Sequence, residues 1–256
     1  MLRAERHQAI LDLVAKKGII AIEDIMDVLG SSKATARRDI NELADQKLLL
    51  KIRGGAKAIV NEKPPMLEPS LIAKGLANID EKKRIAQAAM RHVQLGGRIF
   101  LDSGTTVLEL AKLLADESDL TVVTNDIRIG AELTNNQKAT VLFVGGMIRK
   151  GFSSTYGYYA EQMLNELSFS QMFFSVDSID ADFNITSYTM DDISVKKIGL
   201  TQACERILLC DHSKFSVGAL FNICSIANID TIIVGKELDP QIIEHLQHTG
   251  KNVEVV

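Results

Sequence analysis

Apolar residues in the first sixty positions recur at helical steps. Ile10, Leu11 and Val14, then Ile19, Ile22, Ile25, Met26 and Leu29, fall three and four residues apart, with a break at Lys16-Lys17-Gly18. The pattern predicts two short amphipathic helices, roughly 3–16 and 21–29. A turn at Gly30-Ser31-Ser32 leads into a third helix, with Ser32 placed to cap it because its hydroxyl can accept from an otherwise unpaired backbone N–H. Ala36, Ile40 and Leu43 share one face of that helix and can pack on the first two, which turns Arg37 and Arg38 outward. Beyond it, residues 48–59 read as two short strands around Gly54-Gly55.

From residue 97 the pattern changes to apolar runs that each end in a small polar loop. Residues 97–102 predict a strand, Ser103-Gly104-Thr105-Thr106 a tight loop, and 107–114 a helix. The run 120–123 ends at Thr124-Asn125-Asp126, 140–144 at Gly145-Gly146, and 206–210 at Asp211-His212-Ser213-Lys214. Residues 230–235 and 253–256 supply later strands. Strands alternating with helices predict an α/β domain on a parallel sheet, and in such sheets ligands bind outside the carboxyl ends of the strands.

Composition divides the chain in two. Residues 1–60 hold 11 Lys+Arg against 8 Asp+Glu, and the remainder holds 18 against 25, so a small basic module precedes an acidic body. Two of the four prolines fall at Pro64-Pro65, where a helix cannot continue. The expected division is a small basic domain at 1–60, a linker at 61–75 and a second domain at 76–256. No signal pattern and no run of 18 apolar residues is present, which predicts a cytoplasmic protein. Cys204, Cys210 and Cys224 match no common zinc spacing, so no metal or other cofactor is expected.

The candidate chemistry follows from the loops. Polar and cationic side chains at the start of the third helix (Ser32, Lys33, Thr35, Arg37 and Arg38) suit entry into a DNA major groove. Lys51, Arg53, Gly54 and Gly55 would form a basic wing touching phosphates or the minor groove. In the body, the loop at 103–106 gathers backbone N–H groups, hydroxyls and the positive end of a helix dipole, which favours a phosphate or carboxylate. Such a junction also serves as an ordinary helix cap. Asp102 would accept from a sugar hydroxyl, and Lys214 would pair with the ligand's anionic group or form a surface salt bridge with Asp211.

The chain resembles the DeoR family of bacterial sugar-metabolism regulators along nearly its whole length. The matching residues are Ser32-Lys33-Ala34-Thr35-Ala36-Arg37-Arg38-Asp39-Ile40 and Gly54-Gly55-Ala56, then Asp102-Ser103-Gly104-Thr105-Thr106, Thr124-Asn125, Gly145-Gly146 and Asp211-His212-Ser213-Lys214. The resemblance implies a winged helix-turn-helix joined to an α/β sensor domain similar to ribose-5-phosphate isomerase and the CoA transferases. It implies a repressor of a carbohydrate-utilisation operon, released from double-stranded operator DNA by a phosphorylated sugar or related metabolite. Asp102, Ser103, Gly104, Thr105, Thr106, Thr124, Asn125, Gly145, Gly146, Asp192, Lys196, Asp211 and Lys214 would then line the effector pocket. The chain departs from the family pattern at Ser175 and Ser178, where glycines are usual, and at His212, where a serine is usual.

A homo-oligomer, dimer or tetramer, is expected because one winged helix contacts too few bases for high specificity. The alternative is a sugar-phosphate isomerase-like enzyme with an appended DNA-binding module. Asp102, Asp211 and Lys214 would supply the acid–base groups for aldose–ketose proton transfer.

Overall fold

A computed structural model describes residues 3–17, 19–46, 48–57, 68–114, 120–134, 138–215 and 218–256. The chain divides into two compact units, Met1–Lys63 and Pro64–Val256. Of the linker expected at 61–75, residues 61–67 lie outside the described residues, as does the end of the expected hairpin at 58–59, while 68–75 belong to the second unit and are partly helical.

The first unit contains α1 (Arg3–Lys17), β1 (Ile19–Ala21), α2 (Ile22–Leu29), α3 (Lys33–Asp45), β2 (Leu50–Ile52) and β3 (Gly55–Lys57). Gly30 ends α2 in the left-handed conformation, at φ 58°, where a side chain would be strained. Ser32 caps α3, its hydroxyl accepting from the Thr35 N–H at 3.3 Å. Ala36, Ile40 and Leu43 are buried against Ile10, Val14, Ile22 and Ile25, so the core lies where the helical periodicity puts it. Ile19 departs from that pattern. It is exposed and belongs to β1, which pairs antiparallel with β3 and makes the expected hairpin a three-stranded sheet ordered β1-β3-β2.

The second unit begins with α4 (Leu71–Leu76) and α5 (Ile79–Met90), followed by β4 (Arg98–Leu101), α6 (Thr105–Leu114), β5 (Thr121–Thr124), α7 (Ile127–Leu133) and β6 (Thr140–Phe143). A hairpin of β7 (Met147–Ile148) and β8 (Thr155–Tyr156) precedes α8 (Tyr158–Asn165) and β9 (Phe169–Phe174). Next come β10 (Ser178–Ile179), β11 (Asn184–Ser187), α9 (Ile193–Gln202), β12 (Ala203–Cys210) and β13 (Phe221–Ser225). The chain ends with β14 (Thr231–Val234), α10 (Pro240–His248) and β15 (Asn252–Val255).

Seven of these strands form one sheet ordered β15-β14-β12-β9-β4-β5-β6, and every neighbouring pair is parallel. Both faces of the inner strands are buried, which is why β4, β5 and β14 read as nearly unbroken apolar runs. Ile99, Leu101, Phe173, Ile207, Leu209 and Ile233 pack in one layer with α5, α6 and α7. Their alternating neighbours Phe100, Met172, Phe174, Leu208 and Ile232 pack in the opposite layer with α8 and α9. The central strand β9 escapes a reading based on apolar runs, because Ser170 and Gln171 interrupt it. Gln171 is fully buried, donating to the His92 carbonyl at 2.8 Å and to Glu205 at 2.7 Å.

Strand order runs outward in both directions from the β4–β9 boundary, through β5 to β6 on one side and through β12 to β15 on the other. Loops leaving the carboxyl ends of β4 and β9 therefore diverge to opposite faces and leave a crevice between them. A small antiparallel sheet, β10-β11-β13, draws its strands from before α9 and after β12.

Candidate functional site

On the first unit, Arg37 and Arg38 are exposed and have no ion-pair partner among the described residues. Lys33 is shared with Glu23 at 3.1 Å, and the Thr35 hydroxyl lies 3.0 Å from that of Ser32. The helix carrying them is clamped from behind: Arg6 of α1 donates to both oxygens of the buried Asp39, at 2.8 and 3.0 Å. That pairing holds the Asp39 carboxyl below its usual range despite burial. Arg3 reaches Glu42 at 2.7 Å. In the wing, Lys51 and Arg53 are exposed, and Gly54 turns the chain at φ 87°. Gly55 does not face outward. A Cβ there would stand 2.0 Å from the Ile20 carbonyl oxygen, so its glycine admits close strand packing.

In the second unit a cavity of about 50 Å³ opens at the β4–β9 crevice. Ser103, Gly104, Thr105 and Thr106 form one wall, placing the first turn of α6 and its dipole against the space. Ser175 and Asp177, just after β9, form another. Gly104 is required by this approach, since a Cβ there would lie 1.9 Å from the Ser175 hydroxyl. Ser175 thus fills room that Gly104 leaves.

Five cations line the cavity: Lys74, Arg128, Arg149, Lys196 and Lys214. Lys196 pairs with Asp102 and donates to the Ser175 carbonyl at 3.1 Å. Burial pushes the Asp102 carboxyl up to about 6 against the pull of Lys196. Burial works against the Lys196 ammonium as well, but Asp102 outweighs it and raises its pKa. Arg128 pairs with the buried Asp126 at 2.8 Å, and Asp126 also accepts from the Ser103 hydroxyl at 2.9 Å. Lys74 pairs with Asp177 at 2.5 Å and, together with Lys196 and Lys214, outweighs the burial of that carboxyl, holding it down at about 2. Arg149 pairs with Asp192 at 2.7 Å and stacks 4.0 Å from the Phe152 ring centroid. Glu68 contacts both Arg149 and Lys74. Lys214 alone has no ion-pair partner among the described residues.

Of the residues the sequence proposed for an effector, Ser103, Gly104, Thr105, Thr106, Asp192, Lys196 and Lys214 meet at this cavity. Asp102 lies beneath it, covered by Lys196. Thr124 and Asn125 are buried at the end of β5, where Asn125 donates to the Thr155 carbonyl at 3.1 Å. Gly145 and Gly146 do not line the cavity. A Cβ on Gly146 would meet the Tyr156 carbonyl oxygen at 2.6 Å, so its role is to seat the β7–β8 hairpin.

Asp211 does not line the cavity either, and it forms no salt bridge with Lys214. It accepts from Asn78 at 2.8 Å and from the Ser213 N–H at 3.1 Å. His212 donates its N–H to Glu81 at 2.8 Å and sets its ring 2.7 Å from the same carboxylate, which raises the imidazole pKa. Asp211 and His212 therefore fasten the turn that presents Lys214 to the start of α5. Glu81, Asp211 and His212 lie close enough to share an ion, as do His7, Asp39 and Glu42, but Asn78, Ser213 and Arg6 already use the Asp211 and Asp39 oxygens.

The sequence reading missed Glu68, Lys74, Arg128, Arg149, Phe152 and Asp177. Lys74 had a local signal, since Ser70 caps a short helix four residues before it. Arg149 had none, because it arrives on a hairpin that no strand periodicity announces.

Comparison with known proteins gives one pattern over both units. Residues 77–236 match the DeoR C terminal sensor domain, and residues 6–62 match the DeoR-like helix-turn-helix domain. The chain is 34% identical to an uncharacterized HTH-type transcriptional regulator of Haemophilus influenzae, over 93% of this chain and 91% of that one. It is 27% identical to the glycerol-3-phosphate regulon repressor of Escherichia coli, over 91% of this chain and 90% of that one. Among solved structures it is similar to ribose 5-phosphate isomerase A of Methanocaldococcus jannaschii, with a TM-score of 0.41 at 17% identity over 55% of this chain and 56% of that one.

Proposed function

Because the chain belongs to the DeoR family of transcriptional regulators, we propose that it represses a carbohydrate-utilisation operon and leaves its operator when a phosphorylated sugar or related metabolite fills the cavity of the second unit. The observation that carries this reading is the convergence of five cationic side chains and the first turn of α6 on one crevice at the point where strand order reverses. Such a set suits a compact polyanion, with Arg149 offering a fork to two oxygens and Lys214 an uncommitted charge.

On the first unit, Arg37 and Arg38 would meet base edges or phosphates, and Lys51 and Arg53 the flanking backbone. A single unit of this size contacts few base pairs, so the reading includes a homo-oligomer on paired half-sites. The isomerase alternative is not favoured, because Asp102 and Asp211 are both held in bonds outside the cavity lining. No described helix is long and apolar enough to cross a membrane.

The test is fluorescence anisotropy of labelled DNA from upstream of the gene and its neighbours, titrated with the full chain at fixed salt. The complex is then challenged with phosphorylated sugars and their unphosphorylated forms. Release by a phosphorylated compound alone is expected. Sequence-specific binding that no such compound alters would overturn the effector assignment, and absence of sequence-specific binding would overturn the regulator reading.

A further inference from the structure

The cavity's carboxylates are not equivalent. Lys196 has Asp102, Arg128 has Asp126, Lys74 has Asp177 and Arg149 has Asp192. Glu68 is supernumerary: it binds Lys74 at 2.5 Å and takes both terminal nitrogens of Arg149, although each cation already holds another carboxylate. Withdrawing Glu68 therefore strands no buried charge, whereas withdrawing Asp102 would strand Lys196. The Glu68 side chain is only 7% exposed, yet it comes from an irregular stretch before α4 and not from the sheet.

The arginine fork that Glu68 fills fits phosphate as well as carboxylate. The space left beside it, about 50 Å³, holds a few waters and falls far short of the roughly 300 Å³ of a small ligand pocket. We propose that Glu68 is a built-in stand-in for the effector's anionic group, and that a phosphate entering the cavity displaces it from Arg149 and Lys74. This inference rests on the effector reading above and specifies how that site is regulated.

Displacement has a direction along the chain. Glu68 precedes Pro69, which restricts its backbone to extended conformations. Ser70 then caps α4, accepting from the Ala73 N–H at 3.2 Å. Release of Glu68 from Arg149 and Lys74 frees the stretch that leads into α4.

The experiment is calorimetric titration of the full chain with inorganic phosphate, comparing wild type with Glu68→Gln at constant ionic strength. Loss of the internal competitor should tighten phosphate binding by about tenfold, because the binding-competent state no longer has to be opened first. Equal or weaker binding by Glu68→Gln, with wild type binding normally, would overturn the stand-in while leaving the effector site intact. Absence of phosphate binding in both proteins would remove the anion site and both readings with it. Amide exchange of wild type supplies a measurement independent of how the variant folds: phosphate should speed exchange across residues 70–76, and unchanged or slower exchange there would overturn the displacement.

Discussion

The two candidate anion sites treat their positive charge in opposite ways. On α3, Arg37 and Arg38 stand in solvent with no ion-pair partner among the described residues. In the cavity, four of five cations are locked onto carboxylates and largely withdrawn from water. Water can hold an arginine's charge at no structural expense, and DNA brings a dense array of phosphates that displaces its own counterions. A buried cation has no such reserve, and leaving it unpaired costs several kcal/mol. A surface reader can wait empty-handed; an interior reader must neutralise itself until its ligand comes.

The largest test of that contrast is Lys196→Ala, which leaves Asp102 buried without its cation. It should destabilise the second unit by about 3–5 kcal/mol in denaturant unfolding. A loss below about 1 kcal/mol, the range of an exposed pair, would erase the distinction. The next test is acid. Because Lys74, together with Lys196 and Lys214, holds Asp177 down at about 2, the contribution of that carboxylate is fully present above the ordinary value of 3.8 and disappears as pH falls through about 2. Asp177→Asn should remove about 2 kcal/mol of acid-dependent stability from that window, and an unchanged pH profile would mean that these lysines do not protect the carboxylate.

On the exposed side, Arg37→Ala should weaken operator binding by about 1–3 kcal/mol if it reads a base edge. Phosphate affinity should stay intact, and loss of both would show that the arginine supports the fold. The smallest effect is expected at His212, half-exposed beside Glu81. With its pKa raised in the folded state, it stabilises the protein below about pH 6.5 and loses that contribution as pH rises through the folded value. His212→Gln should flatten this part of the stability profile, and a profile identical to wild type would remove the Glu81 contact from the account.

The same contrast decides what the sequence reveals. Helix α3 is legible because its determinants are local: Ser32 caps it, and Ala36, Ile40 and Leu43 repeat within two turns. Strands β4, β5 and β14 are legible because burial leaves apolar runs, and the 103–106 loop follows directly from β4. β9 is not, since a buried Gln171 bonded to His92 and Glu205 looks like surface polarity when read in line. The cavity is legible where its residues end a strand and opaque where partners come from afar. Glu68 and Arg149 are 81 positions apart, and no periodicity spans that distance.

The β4–β9 boundary also acts mechanically, as a seam. The two strands are joined along their length by ladder hydrogen bonds, but past their ends the chain on either side departs in opposite directions. Across that open end the Lys196–Asp102 pair is a stitch, tying α9 to the end of β4. A ligand seated there would add a second stitch next to the first. The sheet would then resist being peeled apart from its carboxyl edge more than it does with one stitch alone.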